Sequence, residues 1–95
     1  MATIVAGDFE WDDEKETTNI AKHGVSFSEA ATVFADPMAV YLDDGSGAER
    51  MVVIGTSLQA RVLFVVHVVR GVRDRIISAR RAEAPERAVY EGGGH

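Results

Sequence analysis

The run Val62-Leu63-Phe64-Val65-Val66 constrains this chain more than any other feature. It is apolar at every position, so it fits neither the 3.6-residue period of a surface helix nor the alternation of a half-exposed strand. It is also far short of the roughly 18 apolar residues that a membrane-crossing helix needs. Such a run predicts a central strand with cover on both faces. At 95 residues, the chain supports one core of modest size. A single domain over residues 1–95 is therefore expected, with the glycine-rich end at 92–95 a flexible tail.

Turn signals divide the chain around that run. Asp43-Asp44-Gly45-Ser46-Gly47 separates a strand over residues 38–42 from one over 50–58, Gln59-Ala60 leads into 61–69, and Arg70-Gly71-Val72 turns into 73–80. Connections this short favour an antiparallel meander of about four strands over crossovers. The amino-terminal half reads as helical. Asp12-Asp13 supplies N-cap candidates, Glu16 follows Asp13 at capping-box spacing, and Lys22-His23-Gly24 closes a helix over residues 13–23. Only Ile20 and Ala21 are apolar inside it, so something other than a deep core must hold it in place.

Ser26-Phe27-Ser28-Glu29 is a second capping box, with Val25 and Ala30 at the positions of a hydrophobic staple. Phe27, Ala30, Ala31 and Phe34 then share one helix face, and Asp36-Pro37 ends the pattern. Phe9-Glu10-Trp11 alternates as a short edge strand or arm, and Pro85 with Glu86 opens a last short helix. The expected fold class is α+β: a small antiparallel sheet with two amino-terminal helices and one short carboxy-terminal helix.

The absence of cysteine excludes a disulfide framework and thiolate metal ligation, and fits a reducing compartment such as the cytoplasm. No segment resembles a signal peptide, and no membrane partner is expected. A net charge of -5 speaks, as an average, against nucleic acid. Its distribution says otherwise. Residues 1–49 carry two lysines against eleven acids, net −9, whereas residues 50–95 carry eight arginines against Asp74, Glu83, Glu86 and Glu91, net +4. A chain segregated in this way can present a cationic face despite its negative total.

Three constellations have chemical content. Lys15, Asn19, Lys22 and His23 form a polar stripe on the first helix, suited to contact a substrate or simply to face solvent and complement the helix dipole. In an extended strand Arg73, Arg75, Ile77, Ala79 and Arg81 point one way, and Asp74, Ile76, Ser78 and Arg80 the other. Arginines at period two stand about 7 Å apart, a spacing suited to successive phosphates; pairing with the acidic half is the competing reading. His67 interrupts the central apolar strand, where a neutral histidine donating one hydrogen bond is the usual occupant. Three histidines with no H-x-x-x-H spacing form no zinc pattern, and neither a metal nor a cofactor is expected.

Several segments together resemble one family. Phe9-Glu10-Trp11-Asp12, the block N-I-A-K-H-G-V-S-F at 19–27, Glu29-Ala30 with Val33-Phe34-Ala35-Asp36-Pro37, Arg50 with Ile54-Gly55, R-I-I-S-A-R-R at 75–81, and Ala82 with Glu86-Arg87 and Tyr90 are similar to the BrnT family, in order and over nearly the whole chain. The resemblance implies a bacterial type II toxin with a RelE-like fold. It also implies a metal-independent endoribonuclease that inhibits translation and growth. The implied partner is a BrnA-like ribbon-helix-helix antitoxin through which alone operator DNA is contacted. One departure is visible: Asp74 stands where the strand usually carries an apolar residue.

Such an enzyme must deprotonate a ribose 2′-hydroxyl, stabilise charge on phosphorus and protonate the leaving 5′-oxygen. Lys22, His23, Arg80, Arg81 and Glu86 are the expected catalytic residues, and Arg73, Arg75 and His67 the expected RNA contacts. An antitoxin is expected to cover the arginine-rich face. Two other functions fit the same residues: a non-catalytic RNA- or protein-binding module on this fold, and a structural domain whose arginines pair with the acidic half in a homodimer.

Overall fold

The computed structural model describes residues 2–46 and 49–92. Its elements are β1 (Thr3–Ala6), β2 (Phe9–Asp12), α1 (Asp13–His23), α2 (Phe27–Thr32) with a 3-10 turn at Val33–Ala35, β3 (Val40–Asp43), β4 (Arg50–Thr56), β5 (Val62–Arg70), β6 (Arg73–Arg81) and α3 (Ala84–Gly92). Of the expected tail at 92–95, Gly92 instead closes α3, and 93–95 lie outside the described residues, as do Met1, Gly47 and Ala48.

The strands form one six-stranded sheet in the order β1-β2-β6-β5-β4-β3, where about four antiparallel strands were expected. β3 to β6 do form the anticipated meander. The two extra strands come from the amino terminus. Gly7, at φ 61, and Asp8 turn β1 back on β2, and β2 then pairs parallel to β6 at Phe9–Asp74 and Glu10–Arg75. The amide of Asp74 donates to the Asp8 carbonyl at 2.9 Å. Parallel pairing follows from the path of the chain: everything from α1 to β5 lies between the two strands and acts as the crossover.

One face of the sheet packs on α1 and α2 through Trp11, Val25, Phe27, Ala30, Val33, Val53, Leu63, Val65, Ile76 and Ala79. On the other face, Val52 and Ile54 of β4 are buried while Phe64, Val66 and Val68 of β5 are half-buried. Cover on both faces is therefore most complete at β4, beside the strand predicted to have it. Tyr90 of α3 bonds Thr56 and Asp36 on this side, at 2.8 and 2.6 Å. Gly55 lies beneath this contact because a Cβ there would meet Ala39, the Asp36 carboxylate and the Val33 carbonyl at 3.2–3.3 Å.

Two irregularities position the functional side chains. The first is a β-bulge: Val66 faces Ser78 while the next residue, His67, faces Ile76, so Ile77 is unpaired. The expected row of Arg73, Arg75 and Arg81 on one face is corrected by this extra residue. Cross-strand partners share a face, and the pairs Arg70–Arg73, Val68–Arg75, Val66–Ser78 and Phe64–Arg80 put Arg73, Arg75, Ser78 and Arg80 on the outer face. Asp74, Ile76, Ala79 and Arg81 belong to the face that carries the core.

The second irregularity is the docking of α1. Its boundaries are those expected, closed by Gly24 at φ 68, but its N-cap is Asp12 alone, accepting from the amides of Glu14 and Lys15 at 2.9 and 3.1 Å. Glu16 does not close a capping box. It bridges the Trp11 indole at 3.1 Å and the Phe27 amide at 2.8 Å. Asn19, 5% exposed, occupies the sheet edge beyond β2 as a strand residue would. Its side-chain amide donates to the Ala79 carbonyl at 2.7 Å and accepts from the Ala79 amide at 3.2 Å, with a further donation to the Val25 carbonyl at 2.9 Å. A helix with almost no apolar interior is thus held by polar clips that satisfy the open edge of β6.

Candidate active site

The polar stripe of α1 faces β6 across a groove of about 510 Å³ lined by Asp12, Glu14, Lys15, Thr18, Asn19, Lys22, His23, Ile77 and Ser78. Lys22 and His23 project from the last turn and are exposed. Ser78 belongs to the outer face, so the groove opens where the neighbouring β6 residues on that face are Arg75 and Arg80. The first helix and the arginine strand, separate constellations in the sequence, are brought together here. Asp12 lies at the groove's end, its carboxyl held below the ordinary range by the Lys15 and Glu14 amides against partial desolvation. It therefore stays ionised as a cap.

Each outer-face arginine of β6 is engaged. Arg80 meets Glu86 of α3 through both terminal nitrogens, at 2.8 and 2.7 Å, and lies with its Cζ 4.3 Å from the Phe64 ring centroid. The Arg80 hydrogen bonds hold the Glu86 carboxyl below the usual range against desolvation, with the Glu83 amide adding to the effect; Glu86 in turn strengthens the Arg80 cation. The two bonds brace the Arg80 guanidinium against α3. Arg75 pairs with Glu10 at 2.6 Å and Arg73 donates to the Gly7 carbonyl at 3.4 Å.

Two expected site residues lie elsewhere. Arg81 is exposed on the opposite face of the strand end, beside Arg61 and Arg87. His67 is not on the RNA-facing surface expected of it: at 4% exposure it sits inside, its Nδ1 2.5 Å from Asp74 Oδ1 and its ring edge-on to Phe34 and Tyr41. Its Nε2 is buried without a hydrogen-bond partner among the described residues. The unusual acid in β6 is thereby explained, since Asp74 does not neutralise Arg80 but serves the buried histidine across the strand pair.

One cluster has no counterpart in the sequence reading. Glu29 of α2 accepts from Ser57 Oγ at 2.7 Å and from Arg61 Nε at 2.9 Å, and also pairs with Arg61 Nη2. Arg61 then donates to the Gly24 carbonyl at 3.0 Å, directly after His23. Glu29 at the third position of α2 reads locally as a capping-box residue, and its true partners are 28 and 32 residues away. Among the described residues no group of three His, Cys, Asp or Glu side chains is placed to hold a metal ion.

A small α+β protein whose groove holds lysine and histidine side chains beside a strand face bearing arginines has the charge pattern that suits a polyanionic chain. The family follows from comparison with known proteins. The model of the ribonuclease toxin BrnT of type II toxin-antitoxin systems matches residues 11–86, and this chain belongs to that family. The 1.1 Å crystal structure of the Brucella abortus ribonuclease toxin BrnT has a similar fold, with a TM-score of 0.63 and 29% sequence identity over 77% of this chain and 92% of that one. No match was found among curated protein sequences.

Proposed function

We propose that this chain is the toxin of a type II pair, an endoribonuclease that cuts RNA without a metal, arrests translation and growth, and is neutralised by a BrnA-like antitoxin. The observation that carries the reading is the groove in which Lys22 and His23 of α1 lie across from Ser78 of β6, whose outer face also bears Arg75 and Arg80. A phosphodiester lying along Ser78 meets fixed positive charge on the strand and proton-handling groups on the helix. His23 and Lys22 move the protons of the 2′-hydroxyl and the leaving 5′-oxygen. Arg80, oriented by Glu86 and supported on Phe64, stabilises the charge that builds on phosphorus, with Arg75 beside it. The antitoxin covers this face and excludes RNA.

Expression with and without the BrnA-like partner tests the reading. Growth arrest relieved by co-expression is expected, together with RNA cleavage by the purified chain that persists in EDTA. Removing one proton-transfer group typically costs about 10²–10⁴-fold, so a folded His23→Ala variant is expected to lose cleavage on that scale. RNA bound but left uncut would instead support a non-catalytic binding module. A His23→Ala or Arg80→Ala variant as active as wild type would remove that residue from the site.

A further inference from the structure

At the carboxy-terminal end of β6, on the side away from Arg80, a pocket of about 240 Å³ is lined by Ala60, Arg61, Val62, Arg81, Ala82 and Arg87. Three arginines from three elements line it: the turn before β5, the end of β6 and the first turn of α3. Repulsion among them must be offset, and the offset is incomplete. Arg61 is neutralised by Glu29. Among the described residues the Arg87 side chain has a loose pair with Glu91 at 3.7 Å, both side chains being more than half exposed, and such pairs are worth little in water. The Arg81 side chain has no hydrogen-bond or ion-pair partner among the described residues, and Glu29, whose carboxyl feels its charge, is already taken by Arg61. On the outer face, by contrast, Arg75 and Arg80 each hold a close carboxylate.

We infer that Arg61, Arg81 and Arg87 form a phosphate subsite that holds the RNA backbone next to the position where it is cut. This deepens the ribonuclease reading and rests on it for the direction of the strand. Arginine suits the task because its planar fork stays charged and grips two phosphate oxygens. The pocket is joined to the groove by a direct contact: the Arg61 guanidinium donates to the Gly24 carbonyl, one residue beyond His23. A strand with one phosphate beside Lys22 and His23 passes the end of α1 to reach it. Strand alternation gives β6 both roles, presenting Arg80 to one phosphate and Arg81, on the other face, to the next, and the bulge at Ile77 sets which of the two faces outward.

The test measures binding separately from cutting. A 2′-O-methyl RNA oligonucleotide of mixed sequence lacks the attacking hydroxyl and reports affinity alone, while its unmodified counterpart reports kcat and KM. Arg81→Ala and Arg87→Ala are each expected to lower the slope of log affinity against log salt by about 1. Their loss on unmodified RNA should fall on KM rather than kcat, and Arg81→Lys should restore part of it. Arg70→Ala, at the opposite end of the β5–β6 hairpin, controls for overall charge and should leave the slope unchanged. Unchanged slopes for Arg81→Ala and Arg87→Ala, a loss confined to kcat, or an equal fall for Arg70→Ala would each overturn the subsite. A reduced slope with unmodified RNA left uncut by the wild-type chain would keep the subsite and refute the ribonuclease reading.

Discussion

At the scale of single residues, polar side chains inside this small protein are placed in pairs, and the pairing decides what each tolerates. His67 and Asp74 depend on one another. Asp74→Leu removes the partner of Nδ1 while Nε2 is already unpaired, leaving a ring with both nitrogens unsatisfied at a cost of about 1–3 kcal/mol. His67→Phe combined with Asp74→Leu removes both polar groups and is expected to recover more than half of that loss in urea denaturation. Recovery of none of it would show that the pair is not a closed unit. The residue types here were legible in the sequence and their orientation was not. Strict alternation along β6 assigned Arg81 to the row of Arg73 and Arg75, and one unpaired residue, Ile77, moved Arg80 there instead. A bulge is a property of two paired strands, so one strand's pattern does not report it.

Among the elements, α1 shows most clearly how local and distant signals divide. Its ends follow from Asp12 and Gly24, neighbours in sequence, and were readable for that reason. Its anchor was not, because Asn19 reaches Ala79, 60 residues away. The parallel pairing of β2 with β6 is illegible on the same ground, whereas β1 has a local signal in Thr3-Ile4-Val5 before the Gly7-Asp8 turn. Asn19→Ala is expected to cost roughly 2–4 kcal/mol, because the Ala79 amide and carbonyl and the Val25 carbonyl all lose a buried partner. Faster hydrogen exchange at the Ala79 amide would identify the edge as the site of the loss. An unchanged rate there would show that α1 stays docked without its clip.

Over the whole molecule, the opposed halves that the charge count revealed are joined pairwise: Glu10 with Arg75, Glu29 with Arg61. Together with the bond from Asp36 to Tyr90 and the pair of Glu86 with Arg80, these links make acid the natural denaturant. Arg61 and Ser57 hold the Glu29 carboxyl low; for Asp36, burial opposes the lowering and the Thr56 amide, Tyr90 hydroxyl and Met38 amide outweigh it; Arg80 lowers Glu86. For a carboxyl lowered in the folded state, the stability it contributes is complete above its unfolded value, about 4, and is lost as pH falls through the lowered folded value. Stability from these groups is therefore expected to be level from pH 6 to 8 and to fall below about pH 4. Glu86→Gln should flatten the acid limb of a urea-midpoint profile, and an unchanged limb would remove this pair from the cause.

The parallel contact between β2 and β6 also has a consequence in time. The hairpin of β1 and β2 leaves the ribosome before β6, so its inner strand lacks its second neighbour until Asp74 and Arg75 have been made, and domains complete such distant pairings only after the later segment emerges. The groove needs Ser78 and the pocket needs Arg87. A growing chain therefore carries neither until the segment that completes each one has been made and has folded back on the earlier strands.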